Sequence, residues 1–168
     1  VYSEEMEHDA CGVGLISSTE GKKSRKVVEY GIEALKAVWH RGAVDADGKT
    51  GDGAGIHVEI PKDFFIEKIE VTGHTYDSSE ICVGMIFLPR NDYAAQESCK
   101  TIVESELTKN NFSIYGWRQV PVNPKVLGEK AFHTMPEIIQ VLFKSNSSEL
   151  LNKELERKIY ETRRKIEN

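Results

Sequence analysis

The sequence predicts a mixed fold of the α/β or α+β class. Segments with the 3.6-residue spacing of amphipathic helices alternate with short apolar or alternating segments that are typical of strands. Some predicted strands also follow one another through a loop with no helix between them, which is a feature of α+β folds. The 168 residues, of which 39% are hydrophobic, suffice for one domain of ordinary size.

The first part of the chain is predicted to form two strands and one long helix. Residues 11–17 (CGVGLIS) indicate a short strand, and strict alternation over residues 55–60 (GIHVEI) predicts a half-buried strand. Between them a helix is predicted over residues 25–39, with Ser24 as its N-cap and Gly42 in a left-handed turn at its end. The apolar face of this helix consists of Val28, Ile32, Leu35 and Trp39.

Two more strands are predicted in the middle of the chain. Residues 81–88 (ICVGMIFL) indicate a strand buried on both faces, and residues 112–120 (FSIYGWRQV) indicate another strand. A turn-rich connection follows over residues 120–128, and a short apolar segment over residues 137–144 precedes the end of the chain.

Two further helices complete the predicted elements. One is capped by Asp92 or by the residue before it and runs to about Leu107, and the other covers residues 149–168. The side chains predicted to face inward are Ala95, Cys99, Ile102 and Leu107 on the first, and Leu151, Leu155 and Ile159 on the second.

Composition argues against several classes of function. The chain has 22 Lys and Arg against 27 Asp and Glu, and this acidic balance argues against a general nucleic-acid binder. No apolar run approaches the ~20 residues needed to cross a bilayer, so no membrane partner is expected. The histidines do not have the spacing of metal ligands, so no metal site is expected either.

The three cysteines match no zinc pattern and include no Cys-x-x-Cys pair, which predicts a reducing compartment, either the cytoplasm or an organelle equivalent. Cys82 and Cys99 lie in apolar contexts and are predicted to be packing residues. Cys11 differs, because it stands in ACGVG between an acidic segment and a predicted strand. It is the cysteine that we consider for chemistry.

Residues 40–55 (HRGAVDADGKTGDGAG) hold five glycines and three aspartates, a composition typical of a loop. The phosphate-binding patterns GxxxxGK[ST] and GxGxxG are absent, and so is the ligand spacing of a calcium loop. A plain surface turn remains open as one interpretation. Arg41 favours another, since a guanidinium at a glycine-flanked helix end can bind a carboxylate.

Taken together, the motifs resemble a known family. HDACGVGLI, HRGAVDADGKTGDGAGI and ICVGMIFLPR, with GWRQVPVNPKVLGEKA and LERKIYETRRKIE further on, are similar to the N-terminal glutaminase domain of the large subunit of glutamate synthase. The combination of ACGVG with HRGA and ADGKTGDGAG is highly specific, and the similarity runs through nearly the whole chain.

This resemblance implies a class II glutamine amidotransferase on the α+β, N-terminal-nucleophile αββα sandwich, of which the chain covers roughly the first half. Residues 1–10 would be a propeptide-like leader, and residues 11–168 the N-terminal part of the type 2 amidotransferase domain. Cys11 would be the catalytic nucleophile and Arg41 a substrate-binding residue. The glycine-rich loop of the active site would comprise Gly42, Gly51, Asp52, Gly53 and Gly55.

The resemblance also implies what surrounds the domain. Ammonia released from glutamine would aminate 2-oxoglutarate to glutamate in a downstream synthase domain. FMN and an iron–sulfur cluster are expected in that remainder and no cofactor in this chain. An electron-donating subunit or ferredoxin would be a partner, and homodimerisation is one expected way of covering apolar surface on a partial domain.

Two departures from the family pattern bear on activity. Ten residues precede Cys11, so its nitrogen is in a peptide bond, and the later Asn-Gly segment that supplies the oxyanion hole is absent. The chain by itself is therefore expected to be inactive. Two alternatives stay open: an amino-acid-binding regulatory module of the same fold, using Arg41 and the glycine loop, and an unrelated interaction domain with a structural Cys11.

Overall fold

The computed structural model describes residues 12–77, 80–147 and 152–168, without the side chains of Arg41 and Asn152. The chain divides into two units, Val1–Val58 and Glu59–Asn168.

The described residues of the first unit contain one α-helix, α1 (Arg25–Ala37), which is followed by a 3-10 turn, Trp39–Arg41. The predicted cap is confirmed, because the Ser24 hydroxyl accepts a hydrogen bond from the Lys26 N–H at 3.2 Å. The left-handed turn predicted at Gly42 is wrong, since Gly42 is extended with φ −84° and ψ 148°. Its N–H donates to the Trp39 carbonyl at 3.0 Å, so a 3-10 turn follows the helix in place of a left-handed residue.

The strands predicted at residues 11–17 and 55–60 do not form in the described residues. Residues 12–18 and 52–60 have no strand structure, and Cys11 lies outside the described residues. A strand needs a hydrogen-bonded neighbour, and the alternation of side chains in the sequence cannot supply one. None of the side chains described in the first unit is buried, and Ile56 and Val58 are 44% and 46% exposed.

The second unit is built on a three-stranded antiparallel sheet. Its strands are β1 (Cys82–Leu88), β2 (Phe112–Gln119) and β3 (Glu137–Ser145), in the order β1-β3-β2. Its helices are α2 (Lys62–Val71), α3 (Tyr93–Lys109), α4 (Glu129–Thr134) and α5 (Asn152–Glu167), with a 3-10 turn at Pro124–Val126. This mixture of helices with an antiparallel sheet agrees with the α+β class.

The apolar segment before the last helix forms the centre of the sheet. In β3, Val141 and Phe143 point to one face and Leu142 to the other, because successive side chains of a strand alternate. Helices α3 and α5 pack on the first face, in a core cluster of Cys82, Val103, Leu107, Phe112, Val141, Phe143 and Leu155. Helix α2 packs on the second face, in a cluster of Phe65, Ile69, Ile81, Tyr115 and Leu142.

Both strands predicted in this unit are present, but β1 is not buried on both faces as predicted. Met85 and Phe87 are 50% and 63% exposed. Strand β1 lies at an edge of the sheet, and the cluster around α2 reaches as far as Val83 on that face. Beyond Val83 this face of β1 is not covered by α2, so the side chains of Met85 and Phe87 are exposed to solvent.

The predicted helices α3 and α5 are confirmed, with one error in the buried face. The Asp92 carboxylate caps α3 by accepting from the Ala95 N–H at 2.9 Å. Leu107 is buried as predicted, whereas Ile102 is 49% exposed and its neighbour Val103 is buried instead. Helices α2 and α4 were not predicted. Within the residues described, no helix has the length and apolar character to span a membrane.

Candidate active site

Residues 42–52 of the first unit form a compact hairpin directly after Arg41. Val44 and Gly51 make an antiparallel bridge, and the Asp45 N–H donates to the Thr50 carbonyl at 2.7 Å. The Asp52 N–H donates to the Ala43 carbonyl at 3.2 Å. The glycine-rich sequence thus forms a hydrogen-bonded hairpin, and most of its residues are exposed.

The tip of this hairpin is held by the side chain of Asp47. One of its carboxylate oxygens accepts from the N–H groups of Lys49 and Thr50, at 2.9 and 2.7 Å, and the other accepts from the Thr50 hydroxyl at 2.5 Å. Gly48 completes the turn with a φ of +69°, a conformation that glycine adopts without strain. Sequence reasoning did not single out Asp47 and Thr50, although an Asp two or three residues before the backbone N–H groups that donate to it is a known turn signal.

The base of the hairpin is held by the side chain of Asp52. Its Oδ2 atom accepts a hydrogen bond from the Ala43 N–H at 2.8 Å. Gly51 faces Ala43 so closely that an added Cβ would lie 2.8 Å from the Ala43 carbonyl oxygen. A Cβ at Gly42 would lie 3.4 Å from the Trp39 carbonyl oxygen and 3.9 Å from Asp52 Oδ2. A side chain at Gly51 would therefore collide with the Ala43 carbonyl, whereas one at Gly42 would make ordinary van der Waals contacts.

The structure brings together some of the predicted site residues and not others. Gly42, Gly51 and Asp52 meet at the base of the hairpin. Gly53 and Gly55 lie beyond it, and a Cβ added to either would meet no atom within 4 Å. The Arg41 backbone lies in the 3-10 turn and its side chain lies outside the described residues, as does the whole of Cys11.

The other cysteines behave as packing residues. Burial raises the pKa of the Cys82 thiol to about 12, with further contributions from the charges of Glu80 and Glu156. Cys99 is partly buried on α3. In the parts of the chain that the structure covers, no three His, Cys, Asp or Glu side chains are grouped so that they could hold a metal ion.

A second cluster of polar side chains lies in the second unit, beside β2. The Tyr115 hydroxyl donates to Asp77 at 2.9 Å, and Lys144 makes an ion pair with the same carboxylate. Burial, then the hydrogen bond and charge of Asp77, raise the pKa of Tyr115 to about 12. These groups satisfy one another, so the cluster serves as a structural link between β2 and the segment after α2.

The second unit also has an open cleft of about 290 Å³ beside the start of α3. Its basic residues are already engaged: Lys100 pairs with Glu97 at 2.8 Å, and Arg90 stacks on the Phe132 ring.

Comparison with known proteins identifies the class to which this fold and loop belong. The family model for class II glutamine amidotransferases matches residues 11–168. The chain belongs to this family. The match begins at Cys11 itself.

The similar proteins are glutamate synthases. The chain is 54% identical over 166 residues to the glutamate synthase [NADPH] large chain of Azospirillum brasilense and 40% identical over 168 residues to the ferredoxin-dependent glutamate synthase of Pyropia yezoensis. It is 34% identical to the glutamate synthase [NADPH] large chain of Bacillus subtilis. These alignments cover 99% to 100% of this chain but 11% of each relative.

Proposed function

We propose that this chain is the nucleophile-bearing part of a glutaminase that supplies ammonia for glutamate synthesis. The single observation that carries the proposal is the family match over residues 11–168, which starts at the one cysteine in an ACGVG context. Residues 1–10 are then a leader that is removed, and residues 11–168 are the N-terminal part of the amidotransferase domain. The complete domain is expected to be an N-terminal-nucleophile αββα sandwich.

Removal of the leader would give Cys11 its own base. A free α-amino group has a reference pKa of about 7.7–8.0, beside a thiol near 8.5. The amine takes the thiol proton, directly or through water, and the thiolate attacks the side-chain amide carbonyl of glutamine. The amine then gives its proton to the departing ammonia, and water hydrolyses the γ-glutamyl thioester to release glutamate.

Arg41 and the hairpin would supply the binding groups of the site. A guanidinium fork matches a carboxylate in geometry and charge, so Arg41 is assigned to the α-carboxylate of glutamine. Gly42, Gly51 and Asp52 shape the backbone beside it, and Gly53 and Gly55 lead the chain away. This assignment is supported by the ordered hairpin that begins one residue after Arg41.

The remainder of the protein would use the ammonia. The expected reaction is the reductive amination of 2-oxoglutarate to glutamate in a downstream synthase domain with FMN and an iron–sulfur cluster. An iron–sulfur cluster needs several cysteine thiolates as ligands. Because burial keeps Cys82 protonated, the described residues do not fit such a cluster. The electron donor, a partner subunit or ferredoxin, stays open, as does homodimerisation.

The proposal is tested on the full-length protein that carries this chain. Mass spectrometry should find a mature N-terminus at Cys11, and Cys11→Ala should abolish ammonia release from glutamine. Cys99→Ala is the matched control, because this partly buried cysteine lies on α3, and it should retain activity. Full glutaminase activity in Cys11→Ala would contradict the proposal.

The regulatory-module alternative makes a different prediction for the same proteins. A binding module would bind glutamine, measured by calorimetry, without releasing ammonia and without losing residues 1–10. Residues 1–168 alone are also expected to release no ammonia, because the Cys11 nitrogen is in a peptide bond. Cys11-dependent turnover by residues 1–168 would overturn that expectation.

A further inference from the structure

The backbone that follows Arg41 is held by two hydrogen bonds. The Gly42 N–H donates to the Trp39 carbonyl at 3.0 Å, which closes the 3-10 turn that contains Arg41. The Ala43 N–H donates to Asp52 Oδ2 at 2.8 Å. The second bond is made by a side chain nine residues away in sequence. It therefore depends on which residue stands at position 52, whereas the first bond is made by backbone atoms alone.

We propose that Asp52 is a positioning residue for substrate binding: its carboxylate fixes the Gly42–Ala43 backbone and thereby the place from which Arg41 reaches glutamine. This inference rests on the proposed function and assigns Asp52 a role within it. Asp52 acts through Arg41 and need not touch the substrate itself.

We expect the hairpin to form without this carboxylate. The Asp52 N–H donates to the Ala43 carbonyl and the Asp45 N–H to the Thr50 carbonyl, and neither bond uses the Asp52 side chain. Asp47 holds the tip through Lys49 and Thr50. Loss of the carboxylate therefore frees one N–H at the base of the hairpin and leaves the rest of its hydrogen bonds in place.

The chemistry of the bond predicts which substitutions are tolerated. An ionised carboxylate is a stronger acceptor for an N–H than a neutral oxygen, but both can accept the bond. Asp52→Asn keeps a side-chain oxygen at the same distance from the backbone, so the bond from the Ala43 N–H can still form. Asp52→Ala removes the acceptor. Lys49→Ala is the matched control, because Lys49 is exposed at the tip of the same hairpin and its backbone N–H, not its side chain, bonds Asp47.

The effect should fall on substrate binding. A small displacement of a binding group is costly, and the loss of an interaction that the ground and transition states share raises KM without lowering kcat. For glutamine hydrolysis by the full-length protein, we expect Asp52→Ala to raise KM about tenfold with kcat within about threefold. Asp52→Asn should fall between Asp52→Ala and the unsubstituted protein, and Lys49→Ala should match the unsubstituted protein.

The outcomes separate this inference from the proposed function. An unchanged KM in Asp52→Ala, or an equal rise in KM in Lys49→Ala, overturns the positioning role while leaving the glutaminase intact. A fall in kcat of Asp52→Asn with no change in KM also overturns it. If the unsubstituted full-length protein released no ammonia from glutamine, the proposed function itself would fail.

Discussion

The side chain of Thr72 lies against Gly116 and holds a bulge in β2. The Thr72 hydroxyl donates to the Tyr115 carbonyl at 2.8 Å, and its methyl carbon would lie 2.8 Å from a Cβ added to Gly116. The pairing with β3 passes from Ile114 directly to Gly116, so the register shifts at Tyr115. A bulge of this kind re-aims one side chain of a strand, and here Tyr115 is buried beside α2 with its hydroxyl on Asp77.

Substitution of Gly116 should therefore be costly. Gly116 has a φ of +149°, a conformation that side chains rarely adopt, and a Cβ there would collide with Thr72. We expect Gly116→Ala to lower the free energy of unfolding by ~3 kcal/mol, measured by urea denaturation. Gly73→Ala is the control, because Gly73 has a φ of +83° but open space around it, and it should cost about 1 kcal/mol. Equal losses in the two variants would contradict the role given to Thr72.

The cap of α3 offers a second test. The Asp92 carboxylate accepts from the Ala95 N–H, one of the backbone donors that a helix start leaves unpaired. We expect Asp92→Ala to lower the free energy of unfolding by about 1 kcal/mol. The adjacent, exposed Asn91 provides the control, and Asn91→Ala should be close to neutral in the same urea titration. A neutral Asp92→Ala would show that another group caps the helix.

The central position of β3 can be tested by truncating side chains on the α2 face of the sheet. Leu142 is 0% exposed, whereas Met85 is 50% exposed. Leu142→Ala should cost about 3 kcal/mol through lost burial and the cavity left behind, and Met85→Ala should cost less than ~1 kcal/mol. Thermal or urea unfolding measures both. Comparable costs would mean that the exposed end of β1 is covered in solution.

Stability should fall on the alkaline side. The pKa of Cys82 and that of Tyr115 are both raised to about 12 in the folded chain, by burial first in each case. When a group has a higher pKa in the folded state than in the unfolded state, the unfolded state loses the proton at a lower pH. The contribution of the group to the free energy of unfolding is therefore fully present below the pKa of the unfolded state. It is lost as the pH rises through the pKa of the folded state. For Tyr115 this window runs from pH 10 to about 12.

Tyr115→Phe isolates the contribution of the tyrosine, because it removes the titrating hydroxyl and keeps the ring. Between pH 10 and 12 its free energy of unfolding should fall less steeply than that of the unsubstituted chain, measured by urea titration at each pH. Tyr93→Phe, at a tyrosine that is 77% exposed, should keep the full slope. A steeper fall in Tyr115→Phe would reverse the sign argued here.

Several features follow from the sequence because they depend on neighbours in the chain. The helices α1, α3 and α5 have the spacing of apolar residues that predicts them. Ser24 and Asp92 cap α1 and α3 through backbone N–H groups no more than three residues further along the chain. The motifs around Cys11 and Arg41 are equally local, and they suffice to place the chain among the class II glutamine amidotransferases.

Other features were decided by contacts between distant residues, which no local period encodes. Because β3 lies between β1 and β2, β1 is an edge strand. Met85 and Phe87 are therefore exposed at the end of one face of the sheet, although their segment is continuously apolar. The strands predicted at residues 11–17 and 55–60 lacked a neighbouring strand in the described residues, so alternation alone did not form them. The bond from Ala43 to Asp52 also required the chain to turn back on itself. The sequence by itself thus determined the family, the helices α1, α3 and α5, and the caps at Ser24 and Asp92. The tertiary structure decided strand order, exposure and the loop geometry, because these depend on which distant backbone groups pair.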